Sequence, residues 1–499
     1  MKVLVTGGTG VMGAAAVRAL HRRGHTVRVL SRHAGRDEEW WPDGVEGWAG
    51  DVSNERSIRG SAAGCDAVIH VAGIVDEKPP ARTFQAVNID GTRYVVLEAE
   101  RSDVRKLVYV SSLGAERGRS AYHKSKYVAE DVVRTFTRDW VILRPGAVYG
   151  PGDEHISTLL QMIRTLPVVP TIGDGNQKFQ PIWHEDFAEA LVMATERDDV
   201  RRQVVDIAGP ELTSQNDLVA RLRTLTGRDV VQTPLPEIVT SWGLRALDAV
   251  GIDIPFSEAQ LAMLTEGNVI PPGTSNGLTA LFGIAATRLD DGLARLVNEQ
   301  PEQLPSDGVG ALSRKRFWVD IRGGRFDADG LFEYVRDHLA ELMPPMVQMK
   351  AEPHAPARIE EGATLTLEIP VRGHIQVRVA EVVDRRITLL TVAGHPLAGA
   401  VRFLVEPRGQ GDAVRFEIQV YDRAASTVDQ ILMRTVGEWL QRSAWVALAQ
   451  NAAKAARGQA TDVQTLDEDL DEHESEVVER WTRALSAQLS RNETSSGRD

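Results

Sequence analysis

At 499 residues the chain is longer than one hydrophobic core usually organises, so two or more domains are expected. Its 57 Lys and Arg against 70 Asp and Glu give a formal charge of -13, which argues against nucleic acid as a ligand, because phosphate binding draws its free energy from clustered cations. No apolar run approaches the roughly 18 residues of a membrane span. The single Cys65 can close no internal disulfide, and Met1 to Val5 reads as a strand, not a signal peptide, so a cytoplasmic setting is expected.

Short Val/Ile/Leu-rich runs at Lys2 to Val5, Thr26 to Leu30, Ala67 to Val71, Lys106 to Ser111, Asp139 to Leu143 and Val204 to Ile207 alternate with helical patterns. This order predicts β-α-β units around a parallel sheet, an α/β doubly wound Rossmann fold. The first strand runs directly into Thr6-Gly7-Gly8-Thr9-Gly10-Val11-Met12-Gly13, and a helix through Ala14 to Leu20 follows. Glycines at this spacing let backbone N–H groups approach a diphosphate at the positive end of a helix, so all eight residues are assigned to a dinucleotide site.

The second strand ends at Ser31-Arg32, where a site selective for NAD would carry a carboxylate for the ribose 2′-hydroxyl. A hydroxyl and a guanidinium suit a 2′-phosphate instead, so NADP(H) is preferred over NAD(H). Asp51 and Val52, placed after a third strand, and Val71-Ala72-Gly73, at the end of a fourth, extend the cofactor path. Cys65, before an apolar run, reads as a core residue.

Farther on, Tyr122 and Lys126 stand four residues apart on one face of a predicted helix continuing through Ala129, Val132 and Val133. A phenol becomes a useful acid or base when a neighbouring ammonium stabilises its anion, and Lys126 is suited both to that and to holding the nicotinamide ribose. Ser111 and Ser112, ending a strand, are candidates for polarising a carbonyl. His184, in Trp183-His184-Glu185-Asp186, reads as a strand-to-helix turn with Glu185 or Asp186 capping the helix, and no second ligand at metal spacing accompanies it.

Together these residues resemble the extended and atypical short-chain dehydrogenase/reductases, related to the NAD(P)-dependent epimerases and dehydratases, over about residues 1–300. The order Thr-Gly-x-x-Gly-x-x-Gly, Asp-Val, Ser, Tyr-x-x-x-Lys is complete. Asn88 matches an Asn-x-x-Gly-Thr helix start, and Leu143-Arg144-Pro145-Gly146-Ala147-Val148-Tyr149-Gly150 matches the stretch after a later strand, so Asn88, Pro145, Ser111, Tyr122 and Lys126 join the cofactor set by resemblance. Within that superfamily, Val110 to Ala115, Leu264 to Val269, Phe282-Gly283-Ile284 and Leu289 to Leu293 resemble the NAD(P)H-binding accessory subunit of respiratory complex I and its bacterial relatives. The loop from Ser112 to Tyr122 is shorter than in typical extended enzymes, which separates the serine from the tyrosine's substrate if the loop holds them apart.

The resemblance implies an oxidoreductase moving hydride between NADP(H) and a small, lipophilic carbonyl, alcohol or activated alkene, with Tyr122 as acid/base. The alternatives are a non-catalytic NADPH-holding module in a larger assembly and a sugar-nucleotide epimerase or dehydratase. Residues 1–300 would form the Rossmann domain and a smaller substrate lobe, and a polar, proline-punctuated linker would occupy 301–310.

Residues 311–457 change to period two at Phe317, Val319 and Ile321, at Leu365, Leu367 and Ile369, at Ile375, Val377 and Val379, at Val401, Phe403 and Val405, and at Val414, Phe416, Ile418 and Val420. Helices are expected over Leu331 to Met343 and Val428 to Ala455, with Val428, Ile431, Leu432, Val436, Trp439 and Leu440 as core. This α+β order resembles the START-like, polyketide-cyclase-like helix-grip superfamily, which implies a cavity for a hydrophobic small ligand. Residues 458–499, with the acidic run Asp467 to Glu472, read as a partly disordered tail with one helix over Val477 to Leu489. Oligomeric state is left open.

Overall fold

The computed structural model describes residues 1–37, 41–80, 82–235, 268–349, 352, 359–369, 373–409, 413–432 and 437–496. The chain divides into two compact units, one comprising residues 1–159, 170–222 and 232–296, the other residues 160–169, 223–231 and 297–499. No helix among the described residues is long and apolar enough to cross a membrane.

The first unit is built on β1 (Lys2–Thr6), β2 (Thr26–Ser31), β3 (Glu46–Ala49), β4 (Ala67–His70), β5 (Lys106–Val110), β6 (Asp139–Pro145) and β7 (Gln203–Ile207). They form one seven-stranded sheet in the order β7-β6-β5-β4-β1-β2-β3, and every pairing is parallel. The strand order reverses between β1 and β4, the place where an open parallel sheet leaves a crevice at its carboxyl ends. Helices α1 (Val11–Arg22), α2 (Gly91–Arg101), α3 (Ala121–Arg134) and α4 (His184–Glu196) are among those that flank it.

Central strands buried on both faces need continuous apolar runs, and Val3, Leu4 and Val5, Val68 and Ile69, and Leu107 and Val108 are all essentially inaccessible. Strand β3, Glu-Gly-Trp-Ala, lacks such a run because it is the edge strand, and its exposed and half-buried residues gave the sequence pattern little to mark. Cys65 is buried in the layer containing Leu4, Val68 and Leu107, and desolvation raises its thiol pKa.

The second unit contains β8 (Val309–Arg322), α5 (Ala328–Leu342), β9 (Gln348–Met349), β10 (Thr364–Ile369), β11 (Gly373–Val383), β12 (Arg386–Thr391), β13 (Leu397–Arg408), β14 (Ala413–Ala424), α6 (Thr427–Leu432), α7 (Glu438–Ala456), β15 (Gln459–Ala460), β16 (Gln464–Asp469) and α8 (Glu472–Ser496). The antiparallel sheet runs β9-β10-β11-β12-β13-β14-β8-β15, with β16 also on β8. Its alternating apolar residues, among them Phe317, Val319, Val377, Phe416 and Ile418, pack on Leu331, Val335 and Leu339 of α5 and on Leu448, Ala449 and Ala452 of α7.

Residues 301–310 are not a free connector, because the buried guanidinium of Arg378 donates to Glu302 and Gln303 exchanges bonds with Thr391, its N donating to the Thr391 carbonyl at 2.7 Å and its carbonyl accepting from Thr391 Oγ1 at 2.6 Å, which fixes the start of the stretch on the sheet. Nor are residues 458–499 a solvated tail. The first half of the acidic run, Asp467 to Asp469, ends β16 and pairs with the basic strand β8, where Arg314 donates to Glu468 at 2.7 Å, and α8 buries Thr482, Ser486, Ala487 and Leu489. The ion partners of that run lie more than 150 residues earlier, out of reach of a local reading.

In the long helix predicted after Val428, Val428 and Trp439 are 41% and 66% exposed and are not core. The buried stripe begins later, at Ala444, with Trp445 and Val446 packed against the core, and continues through Leu448 and Ala449. Residues 433–436, and with them Val436, lie outside the described residues, as do the side chains of Ile431 and Leu432 and residues 264–267 of the complex I-like motif.

Candidate active site

The site assembles at the carboxyl ends of β1, β4 and β5. Helix α1 starts immediately after β1, with Gly10 as its N-cap and no side chain capping it. Gly7 adopts φ +71°, the left-handed region favouring glycine, and a Cβ on Gly13 would fall 2.1 Å from the Gly7 carbonyl oxygen. A Cβ on Gly10 would meet nothing nearer than 3.7 Å, so the cradle is closed behind and open in front of uncapped helix N–H groups. That shape and donor set fit a dinucleotide diphosphate.

Thr6 ends β1 and anchors β4. Thr92 Oγ1 donates to the Asn88 carbonyl at 2.6 Å, so His70 Nε2, 3.0 Å from Thr92 Oγ1, is the donor of that pair. Its Nδ1 therefore accepts from Thr6 Oγ1 at 2.7 Å, and Thr6 Oγ1 accepts from Ala72 N. The chain requires a neutral imidazole, and burial, aided by the Lys126 charge, lowers the His70 pKa to about 3. His70 and Thr92 were not singled out in the sequence as site residues. Only the register of β1 on β4 makes their role visible.

Of the outer cofactor residues, Arg32 is exposed and Ser31 Oγ accepts from His33 N at 3.1 Å. Asp51 accepts from the backbone and hydroxyl of Ser53 at 2.9 and 2.7 Å. Val11 and Met12 are half-buried, Val71 is buried, and Gly8 and Thr9 lie in the turn before α1.

Asn88 sits in a π-helical turn, Gln85–Asp90, that continues into α2. Such turns often mark functional sites because they redirect one side chain. Here the Asn88 amide accepts from Ile74 N at 2.8 Å and donates to Ile74 O and to Ser125 Oγ at 3.0 and 2.9 Å. Asn88 therefore supports the site from behind. A Cβ on Gly73 would lie 3.3 Å from Asn88 Oδ1 and 3.4 Å from Lys126 Nζ, which puts the end of β4 beside both.

Tyr122 and Lys126 lie on α3, which begins where Ser120 Oγ caps the helix by accepting from His123 N at 3.2 Å. Lys126, 4% exposed, donates to the Val110 carbonyl at 2.6 Å, and its Nζ stands 4.6 Å from the Tyr109 ring centroid. Burial lowers its pKa to about 7, opposed by the Glu130 charge. Tyr122 faces the side chain of Ser112; burial pushes its hydroxyl up to about 12 and the serine acts in the opposite direction. The short loop thus brings Ser112 and Tyr122 together instead of parting them.

Ser111 does not share that role. Its hydroxyl donates to Glu130 at 2.6 Å, away from Tyr122, so of the two serines only Ser112 reaches the phenol. Pro145 contributes its carbonyl, which accepts from Leu113 N at 2.8 Å and anchors the loop after β5. His184 is the first residue of α4 and is buried, with its pKa lowered to about 4 by desolvation. The expected capping by its neighbours is absent: Glu185 accepts from Arg295 and Trp183 Nε1, while Asp186 accepts from the Thr287 backbone and hydroxyl. Both carboxylates fasten α4 to later segments instead of closing its own first turn.

A parallel sheet that reverses order beside an uncapped glycine cradle, with a Tyr-x-x-x-Lys pair on the neighbouring helix, is the architecture of a Rossmann-type dinucleotide-binding enzyme of the short-chain dehydrogenase/reductase kind. Comparison with known proteins agrees with this: residues 3–208 match the model of the NAD dependent epimerase/dehydratase family. Residues 327–451 match a domain of unknown function, DUF1990.

Among similar proteins, a ceramide reductase of Caulobacter vibrioides is 38% identical over 194 residues, covering 38% of this chain and 59% of that protein. A sterol demethylase protein B of Methylococcus capsulatus is 36% identical over 31% of this chain and 53% of its own length. A 2-alkyl-3-oxoalkanoate reductase of Stenotrophomonas maltophilia is 28% identical over 39% of this chain and 66% of its own length. The chain thus spans between about half and two thirds of these relatives. A solved UDP-glucose 4-epimerase of Thermotoga maritima is 21% identical, covering 60% of this chain and 97% of that one with a TM-score of 0.47.

Proposed function

We propose that the first unit is an NADP(H)-dependent reductase of a lipophilic ketone, with Tyr122 as proton donor, Ser112 as its partner at the substrate oxygen and Lys126 as the supporting cation. The observation that carries this reading is the placing of Tyr122 beside Ser112, one helical turn from the buried amine of Lys126, which donates to the end of β5. When bound, the reduced nicotinamide supplies the hydride. Tyr122, kept a neutral phenol by burial, gives its proton to the carbonyl oxygen as that oxygen gains charge, and Ser112 donates to the same oxygen. Lys126 stabilises the phenolate left behind.

Thr6 to Gly13 would hold the diphosphate, Ser31 and Arg32 a 2′-phosphate, and Asp51, Val52, Val71, Ala72 and Gly73 the adenosine and its approach. The exposed Arg32 and the absence of a carboxylate at the end of β2 support NADP(H). The lipophilic substrate class is supported by relatives named ceramide reductase and 2-alkyl-3-oxoalkanoate reductase.

For the second unit, the antiparallel sheet closed on one face by α5 and α7 supports the helix-grip reading and, with it, a hydrophobic small ligand.

The test is NADPH fluorescence on binding to the full chain, followed by NADPH oxidation with a 2-alkyl-3-oxoalkanoate as probe. Binding together with oxidation that Tyr122→Phe abolishes supports the reductase. Binding without oxidation across such ketones favours the non-catalytic module, and tightly retained NAD favours the epimerase.

A further inference from the structure

Tyr122, Lys126 and Glu130 follow one another at intervals of four on α3 and therefore share a face. Each meets a successive group at the end of β5. Lys126 takes the Val110 carbonyl, Glu130 the Ser111 hydroxyl and Tyr122 the side chain of Ser112. Glu130 has no exposed surface and is gripped from β6 by Arg144, whose Nε and Nη2 donate to its two oxygens at 2.7 Å each, while Arg134 Nη2 adds a bond at 2.9 Å. Arg144 also donates to Glu116 at 2.7 Å and stands 4.0 Å from Asp206.

A buried carboxylate is costly unless fully paired, and a stabilising ion pair has no need to adjoin a reaction centre. This pair binds the residue next to Ser112 and lies one turn from Lys126. Resting on the reading of Tyr122 and Lys126 as the acid/base pair, we propose that Glu130, held by Arg144, is a positioning residue that locks Ser111 and thereby keeps Ser112 set against Tyr122. It also acts on Lys126 by charge. Among the described residues, the titratable groups about that amine are Glu130 and, on the same face of α3, Tyr122, with Tyr109 on β5 and His70 on β4, and Glu130 is the one carboxyl group of the set.

The experiment uses the full chain, NADPH and the 2-alkyl-3-oxoalkanoate probe. Glu130→Gln keeps the shape and loses the charge. Its kcat should fall about tenfold, its KM for NADPH should change less than about threefold, and the alkaline limb of its kcat/KM profile should move to lower pH by about one unit, since Lys126 then loses its proton sooner. Glu130→Asp, which retains the charge, should restore the limb. Ser111→Ala removes only the locked hydroxyl and should lower kcat about threefold with the limb unmoved. A folded Glu130→Gln with wild-type kcat and limb overturns the proposal. Should that variant fail to fold, a wild-type kcat in Ser111→Ala overturns it. If the native chain binds NADPH without turning over the probe, the reductase reading fails separately. Glu130 is then judged by NADPH Kd against pH, where coincident curves for native and Glu130→Gln protein overturn its action on Lys126.

Discussion

The Thr6 hydroxyl donates to His70 Nδ1 at 2.7 Å, joining the carboxyl ends of two neighbouring parallel strands beneath the candidate cofactor turn. His70 is fully buried and its pKa is lowered from 6.5 to about 3, so the unfolded chain binds a proton there that the folded chain refuses. Stability from this group is complete above pH 6.5 and declines as pH falls toward 3, by at most about 1.4 kcal/mol per pH unit. Urea unfolding at pH 7, 6 and 5 should show that decline. His70→Gln should cost about 1–3 kcal/mol at pH 7 and make the decline shallower.

Two glycines of the cradle should separate folding from binding. Gly13→Ala puts a methyl group 2.1 Å from the Gly7 carbonyl oxygen, a backbone clash expected to lower Tm and abolish NADPH binding. Gly10→Ala faces open space, so Tm should stay close to native while NADPH Kd rises at least about tenfold, the methyl occupying room meant for phosphate. Equal NADPH affinity in Gly10→Ala and native protein would place the diphosphate elsewhere.

Arg32 is exposed and follows β2. Arg32→Ala should raise the Kd for NADPH by about 10- to 100-fold and leave that for NADH nearly unchanged, because only the former loses a charge-assisted contact of about 1.5–3 kcal/mol. Parallel fluorescence titrations with the two nucleotides check this, and equal losses would remove the case for NADP(H).

Lys126→Met should reveal a residue kept for function at some cost to the nucleotide-free fold. Burial lowers its pKa from 10.5 to about 7, so native stability should rise as pH increases from about 7 to 10.5, the unfolded chain binding the extra proton. The methionine variant should lack that rise, match native stability within about 1.5 kcal/mol at pH 7 and lose about 10²–10⁴-fold in kcat. Thermal melts across pH beside NADPH-oxidation assays measure both effects.

In the second unit the Arg402 guanidinium lies 3.9 Å from the ring centroid of Trp481 on α8, and burial lowers the Arg402 pKa. Trp481→Ala should lower stability by about 3–5 kcal/mol through lost packing and an uncovered cation. Removing residues 471–499 should destabilise this unit more, since Leu312 would lose its packing with Val478. Denaturant unfolding of the native chain, the Trp481→Ala variant and the shortened chain provides the comparison, and an unaffected midpoint would show that α8 contributes nothing to the sheet.

Much of the first unit was legible because its signals are local. A buried parallel strand is a continuous apolar run, the phosphate turn is eight consecutive residues, and Tyr122 and Lys126 are one helical turn apart. The same logic explains the failures. Strand β3 is at an edge and carries little apolar pattern. Ser111 and Ser112 are adjacent and chemically identical, yet the first reaches Glu130 and the second Tyr122, two turns apart on α3. The acidic tail resembled disorder because charge was counted without its partner strand.

The amino-acid order by itself determined the β-α-β alternation, the glycine turn and the period-two strands of the second half, since propensity, backbone permissiveness and hydrophobic periodicity act over a few residues. Tertiary structure alone decided that His70 bridges Thr6 and Thr92, that Glu130 pairs with Arg144, and that residues 464–496 close over the second sheet. Those outcomes depend on hydrogen-bond and ion partners far apart in the chain, which meet only after strand register and helix packing have set their positions.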